Sequence, residues 1–113
     1  MRLEDDPETA SWLDRLTGDA EDFDWDAGNQ TKHAKHDVAP TDIEALLRHP
    51  LLFAGRIVEP SHSEPRWLVL GATDSGRHLA LIFTRRGEKL RPISGRPMRR
   101  KERSVYEEAC RQA

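Results

Sequence analysis

The apolar positions of this chain change period at Leu52. Before it they recur at helical spacing. Trp12, Leu13 and Leu16 share one face of a segment that Asp6 can cap, Pro7 can start and Gly18 can end. Ile43, Leu46 and Leu47 share a face of a second segment that starts at Pro40 and stops at Pro50, with Thr41 and Glu44 at capping-box spacing. Between the two, Gly28 to His36 reads as a further helix. Phe23-Asp24-Trp25-Asp26 alternates apolar and acidic residues, as a short strand or a hydrophobic entry to that helix would. From Leu52 onward the runs are short and β-type: Phe53 to Glu59, Arg66 to Thr73, His78 to Thr84 and Lys89 to Ser94. Their separators, Pro60-Ser61-His62-Ser63, Asp74-Ser75-Gly76 and Arg86-Gly87-Glu88, are short enough to imply antiparallel hairpins. Pro92 removes a ladder donor, so the last run is expected at an edge or a bulge. After Pro97, Met98, Val105, Tyr106 and Ala109 fall on one helical face and Arg99, Arg100, Lys101 and Arg103 mostly on the other. The expected fold class is α+β, an antiparallel meander of about four strands with N-terminal helices and a C-terminal helix. The helices are expected on one face of the sheet, leaving the opposite face or the rim for a ligand. Trp67, Val69, Ile82 and Phe83 are assigned to the core.

Composition narrows the function. A chain of 113 residues, 36% hydrophobic and 34% charged, permits one small domain and no deep cofactor-binding core. Cys110 is the only cysteine, which excludes an internal disulfide and a cysteine zinc cluster. No apolar run approaches the roughly 18 residues of a membrane span, and Met1 to Glu8 lacks the basic-then-apolar order of a signal peptide, so a cytoplasmic protein without membrane contact is expected. The overall charge of −2 conceals a split. Residues 1–26 carry ten acids and two bases, a balance of −8, and residues 27–113 carry +6. Arg85 to Arg103 alone holds nine bases against Glu88 and Glu102. A field of that sign attracts polyanions, nucleic acid first. The chain accordingly divides into an acidic leader, residues 1–22, either one short helix or disordered, and a compact domain, residues 23–113.

Familiar catalytic spacings are absent. His33 and His36 are i, i+3 with no third ligand placed by the sequence, and no Gly-rich phosphate loop, GxSxG elbow or recognisable carboxylate pair appears. Neither a metal nor a cofactor is expected. What remains is cationic: Arg66, Arg85, Arg91 and Arg96 fall at strand starts or ends, where rigid backbone can aim guanidinium forks at phosphate. Arg56, Arg77 and Arg86 read as surface ion-pair residues.

Several blocks taken together resemble a known family. Trp25-Asp26-Ala27-Gly28-Asn29 with Lys32 and Lys35-His36, Glu64-Pro65-Arg66-Trp67, Arg91-Pro92-Ile93-Ser94-Gly95-Arg96, and Arg100-Lys101-Glu102-Arg103 with Tyr106-Glu107 are similar, in this order, to the blocks of the BrnT toxins. The likeness spans about residues 23–109 and leaves the leader without a counterpart. This chain departs from the pattern in Pro92, where a β-branched residue is usual, Gly95, where Ala is usual, His33, where Asn is common, and a Trp25–His36 interval one residue short. The resemblance implies a RelE/ParE-like fold, ribonuclease activity that arrests translation, and pairing with a BrnA-like antitoxin in a type II toxin-antitoxin system. RNA brings its own nucleophile, the 2′-hydroxyl, so a metal-free ribonuclease has only to align it, stabilise the charge gained at phosphorus and move two protons. For the phosphate the candidates are Arg66, Arg85 and Arg96, then Arg91. For proton transfer they are His36 or Glu64, with Lys35 and Tyr106 in reserve. Lys32, Lys35, Arg99, Arg100, Lys101 and Arg103 are the candidate RNA-binding cations. Plainer roles stand beside these: Glu64 pairing with Arg66 or Arg85, His36 capping a helix, Tyr106 in the core. The alternative function is a non-catalytic nucleic-acid-binding or protein-interaction module of the same fold.

Overall fold

The computed structural model describes residues 1–31 and 36–112. Its element order is β1 (Arg2–Glu4), α1 (Pro7–Asp14), a 3-10 turn (Ala20–Asp22), α2 (Ala27–Gln30), α3 (Pro40–Leu46), β2 (Leu52–Glu59), β3 (Trp67–Ala72), β4 (His78–Arg86), β5 (Lys89–Pro97) and α4 (Arg100–Gln112). The strands form one antiparallel sheet in sequence order, β1-β2-β3-β4-β5. It has five strands where about four were expected. The extra one is β1 of the leader, which pairs Leu3 with Ile57 and Glu4 with Arg56. β1 lies tight on β2 at Gly55, where a Cβ would stand 2.7 Å from the Glu4 carbonyl oxygen.

Strand alternation divides the interior in two. Trp67, Val69, Leu79, Leu81, Phe83 and Leu90 pack with Trp12 and Leu13 of α1 and Ile43 and Leu46 of α3. Ile57, Leu68, Leu70 and Ala80 point the other way and pack with Tyr106 of α4. Helices therefore cover both faces, which corrects the one-sided arrangement expected above. α1, α3 and α4 each have one apolar stripe, and the sheet offers an apolar layer on either side to receive it.

The leader helix forms as its sequence suggests. Asp6 caps α1 through the Thr9 N–H at 3.2 Å and Pro7 occupies the first turn. The same carboxylate accepts the Trp67 indole N–H at 2.7 Å, which ties α1 to β3. In α3 the expected Thr41–Glu44 capping box does not form. Pro40 takes the first helical position, Ala39 becomes the cap residue, and Asp42 accepts the Ala39 N–H at 2.9 Å. Glu44 instead accepts the Trp25 indole N–H at 2.9 Å.

β5 is the last strand, and the register slips between Ile82 and Phe83, which pair with Ser94 and Pro92, so Ile93 bulges as Pro92 led us to expect. Residues 23–29 cover part of its outer edge. Phe23 bridges Leu90 in parallel, the Asp24 N–H donates to the Leu90 carbonyl at 2.9 Å, and the Asn29 side-chain amide donates to the Pro92 carbonyl at 3.1 Å.

Candidate functional site

Strand parity decides which arginines can act together. The Ile57 N–H donates to the Arg66 carbonyl at 2.8 Å, so the β2–β3 ladder extends to Arg66 and places it on the face of Ile57 and Leu68, the α4 face. Across β4 the next position is Thr84, and Thr84 pairs with Arg91 of β5. Arg66 and Arg91 thus stand on one face two strand spacings apart, about 10 Å. Arg96, opposite Ala80, is on that face too. Arg85 is not. It shares the parity of Leu81 and Phe83, and its guanidinium lies over the Trp12 ring, 4.3 Å from the centroid, on the α1 side.

The guanidinium groups differ as sharply in their partners. Arg91 is held by Asp26 at 2.9 Å and Asp24 at 3.6 Å. Arg96 grips Glu102 with both terminal nitrogens, at 2.7 and 2.9 Å, and those two side chains are only 13% and 17% exposed. Arg85 meets Glu8 of the leader at 3.2 Å. Among the described residues Arg66 has no salt-bridge partner, and its Nε is buried with no hydrogen-bond acceptor. Of the four candidate arginines it is the one with a free fork, and a buried unpaired donor is costly unless something comes to accept from it.

The carboxylates record the same arrangement. Hydrogen bonds from Arg96 hold Glu102 below the usual carboxylate range. The Asn29 backbone N–H, then Arg91, does the same for Asp26. Burial pushes the Tyr106 phenol up, with Cys110 adding to it. Its hydroxyl donates to the Pro50 carbonyl at 3.3 Å and its ring meets His78 edge-on, so it anchors α4.

Glu64 pairs with Arg86 at 3.3 Å rather than with Arg66 or Arg85. It lies in the β2–β3 loop, which with β2 frames a pocket of about 240 Å³ lined by Arg56, Ser61, His62, Ser63 and Glu64. His62 had no role in the sequence reading, yet this loop runs straight into Arg66. His36 lies at the other end of the sheet: its carbonyl accepts from Arg77, beside the β3–β4 turn. Arg77 to Arg85 along β4 is about 26 Å at strand rise. The structure therefore does not bring His36 to Arg66. Lys32 and Lys35 lie outside the described residues. Arg99, Arg100, Lys101 and Arg103 are exposed at the start of α4, with Arg103 paired to Glu107 at 2.9 Å. Among the described residues no three His, Cys, Asp or Glu side chains converge as a metal site would require, and no helix is long and apolar enough to cross a membrane.

No role was evident in the sequence for Thr84, buried between Arg66 and Arg91, or for the acids that hold the arginines. Asp26 and Glu102 stood in the blocks quoted for the resemblance and Asp24 in the alternation Phe23-Asp24-Trp25-Asp26, while nothing marked Glu8.

A family model described as the ribonuclease toxin BrnT of type II toxin-antitoxin systems matches residues 25–102, from the entry to α2 into the first turn of α4. No curated protein and no solved structure matches the chain significantly. The match covers well over half of the chain and takes in Arg66, Arg85, Arg91 and Arg96, so the chain belongs to the BrnT family of ribonuclease toxins.

Proposed function

We propose that this chain is a metal-independent endoribonuclease with a RelE/ParE-like fold, which arrests translation by cutting RNA in the cytoplasm and is neutralised by a BrnA-like antitoxin. The observation that carries the reading is Arg66: an unpaired guanidinium with a buried orphan Nε, on the same face as Arg91 and Arg96 and the basic start of α4. In this reading the 2′-hydroxyl attacks the adjacent phosphorus, Arg66 takes the charge that builds on the non-bridging oxygens, and the products are a 2′,3′-cyclic phosphate and a 5′-hydroxyl. Arg96 and Arg91 act by placement, through Glu102 and the Asp24–Asp26 pair. Proton transfer falls to Glu64 or His62 of the loop before Arg66, in place of His36. Residues 23–113 form the toxin domain, and the leader adds a strand and a helix to it.

The test is cleavage of a defined RNA by the purified chain, with product ends analysed. Cleavage that persists in EDTA and leaves cyclic phosphate supports the reading. Cleavage lost on chelation and restored by a divalent ion overturns the metal-independent mechanism. A second reading, a nucleic-acid-binding module without catalysis, draws on the carboxylates that already hold Arg85, Arg91 and Arg96. RNA bound and left uncut would select it.

A further inference from the structure

On the α4 side of the sheet an open groove of about 340 Å³ runs between the first residues of the chain and the start of α4. Ala54, Leu68 and Leu70 form its floor, Leu3 one wall and Val105 the other. Val105 is 50% exposed, an unusual position for a large aliphatic side chain. Arg99 and Lys101 stand on the rim with no carboxylate at salt-bridge distance among the described residues, whereas the rim carboxylate, Glu102, is already held by Arg96.

We propose that this groove receives a helix of the cognate antitoxin, one with an apolar ridge edged by carboxylates. The floor is aliphatic, with no aromatic ring for a base to stack on, which disfavours nucleic acid as the occupant. It is also a sheet face beside a helix, the shape that accepts an amphipathic helix through anchors at i, i+3 or i+4, and i+7. The two unpaired rim cations ask for acids flanking that ridge. A second copy of this chain meeting the groove across a two-fold axis would set Arg99 and Lys101 against their own duplicates. Leu68 is two residues from Arg66 on the same face, about 7 Å at strand rise, so a helix seated there also covers the free guanidinium. The proposal rests on the toxin-antitoxin reading for the identity of the partner.

The test uses the full chain and the antitoxin encoded beside it, with affinity measured by calorimetry for the parent, Val105→Glu and Ser104→Glu. Val105→Glu is expected to weaken binding at least tenfold and Ser104→Glu less than threefold, while the free Val105→Glu chain cleaves RNA as the parent does. Hydrogen exchange on the unsubstituted complex should show new protection in residues 68–70 and 99–105. Unchanged affinity in Val105→Glu, or protection confined elsewhere, overturns the proposal. So does the same protection produced by RNA alone or by self-association of the chain. A chain that cuts no RNA yet loses antitoxin through Val105→Glu refutes the enzymatic reading and leaves the groove assignment standing.

Discussion

If Arg66 takes the phosphate charge as proposed above, Arg66→Ala separates catalysis from folding, because among the described residues Arg66 has no salt-bridge partner to orphan. Its removal leaves no unpaired carboxylate, and the loss is confined to stem packing, about 1 kcal/mol or less. The transition state loses its free fork, and one such donor is worth roughly 10²–10³ in rate, about 3–4 kcal/mol. Arg96→Ala reverses the balance. It strips two hydrogen bonds from Glu102, a carboxylate 17% exposed, at a cost of about 2–3 kcal/mol. For a chain of this size each kcal/mol moves the melting temperature by roughly 4 °C, so Arg96→Ala should melt about 10 °C lower and Arg66→Ala no more than about 4 °C lower. The assay pairs kcat/KM on a fluorogenic RNA with thermal unfolding followed by circular dichroism. Arg66→Lys, which keeps the charge and loses the fork, should fall between parent and Ala in rate. Cleavage by Arg66→Ala within threefold of the parent would refute the reasoning, as would a melting loss equal to that of Arg96→Ala.

Other outcomes follow from the same contacts. Trp12 is 1% exposed, so Trp12→Ala should cost about 3–5 kcal/mol in urea unfolding; a change under about 1 kcal/mol would mean that α1 is not part of the core. Glu8→Gln, at an exposed position, should free Arg85 and tighten RNA binding at low salt but not at 0.5 M salt, as measured by fluorescence anisotropy. Glu102 and Asp26 have folded pKa values below their unfolded ones, so their contribution is present above the ordinary carboxylate range and lost as pH falls through the lowered values. Melting temperature should hold between pH 7 and 5 and drop below about pH 4, with a smaller drop in Glu102→Gln. A melting temperature flat down to pH 3 would contradict this.

Local chemistry made the framework legible, while the pairing of distant parts was not. The Asp6-Pro7 start of α1, the hairpin separators and the bulge at Pro92 are each written within a few residues, and the structure follows them. β1 carries one apolar residue, Leu3, and has no period to detect; it is a strand because β2 offers an edge with Gly55 in place. The side of the sheet that each helix covers depends on strand parity, which a helical stripe does not encode. The site followed the same rule. Arginines at strand ends could be read, but whether a fork is free depends on acids such as Asp24, Asp26 and Glu8, more than sixty residues from the groups they hold. His36 looked apt because histidine titrates near neutrality, yet sequence neighbourhood says nothing about which end of a sheet a loop joins.

The first twenty-four residues touch both margins of the sheet, β1 on β2 and Phe23 with Asp24 on β5. Synthesis runs in the opposite sense to this dependence. When Phe23 leaves the ribosome its partner Leu90 does not yet exist, and Arg2 waits for Glu59. The basic face is equally late, since Arg91 and Arg96 belong to the last strand and the groove is walled by the helix after it. Pairings of such long sequence separation form slowly and only once both ends are present. The face that gathers Arg66, Arg91 and Arg96 is therefore incomplete on a nascent chain until β5 and α4 have emerged and β5 has paired with β4.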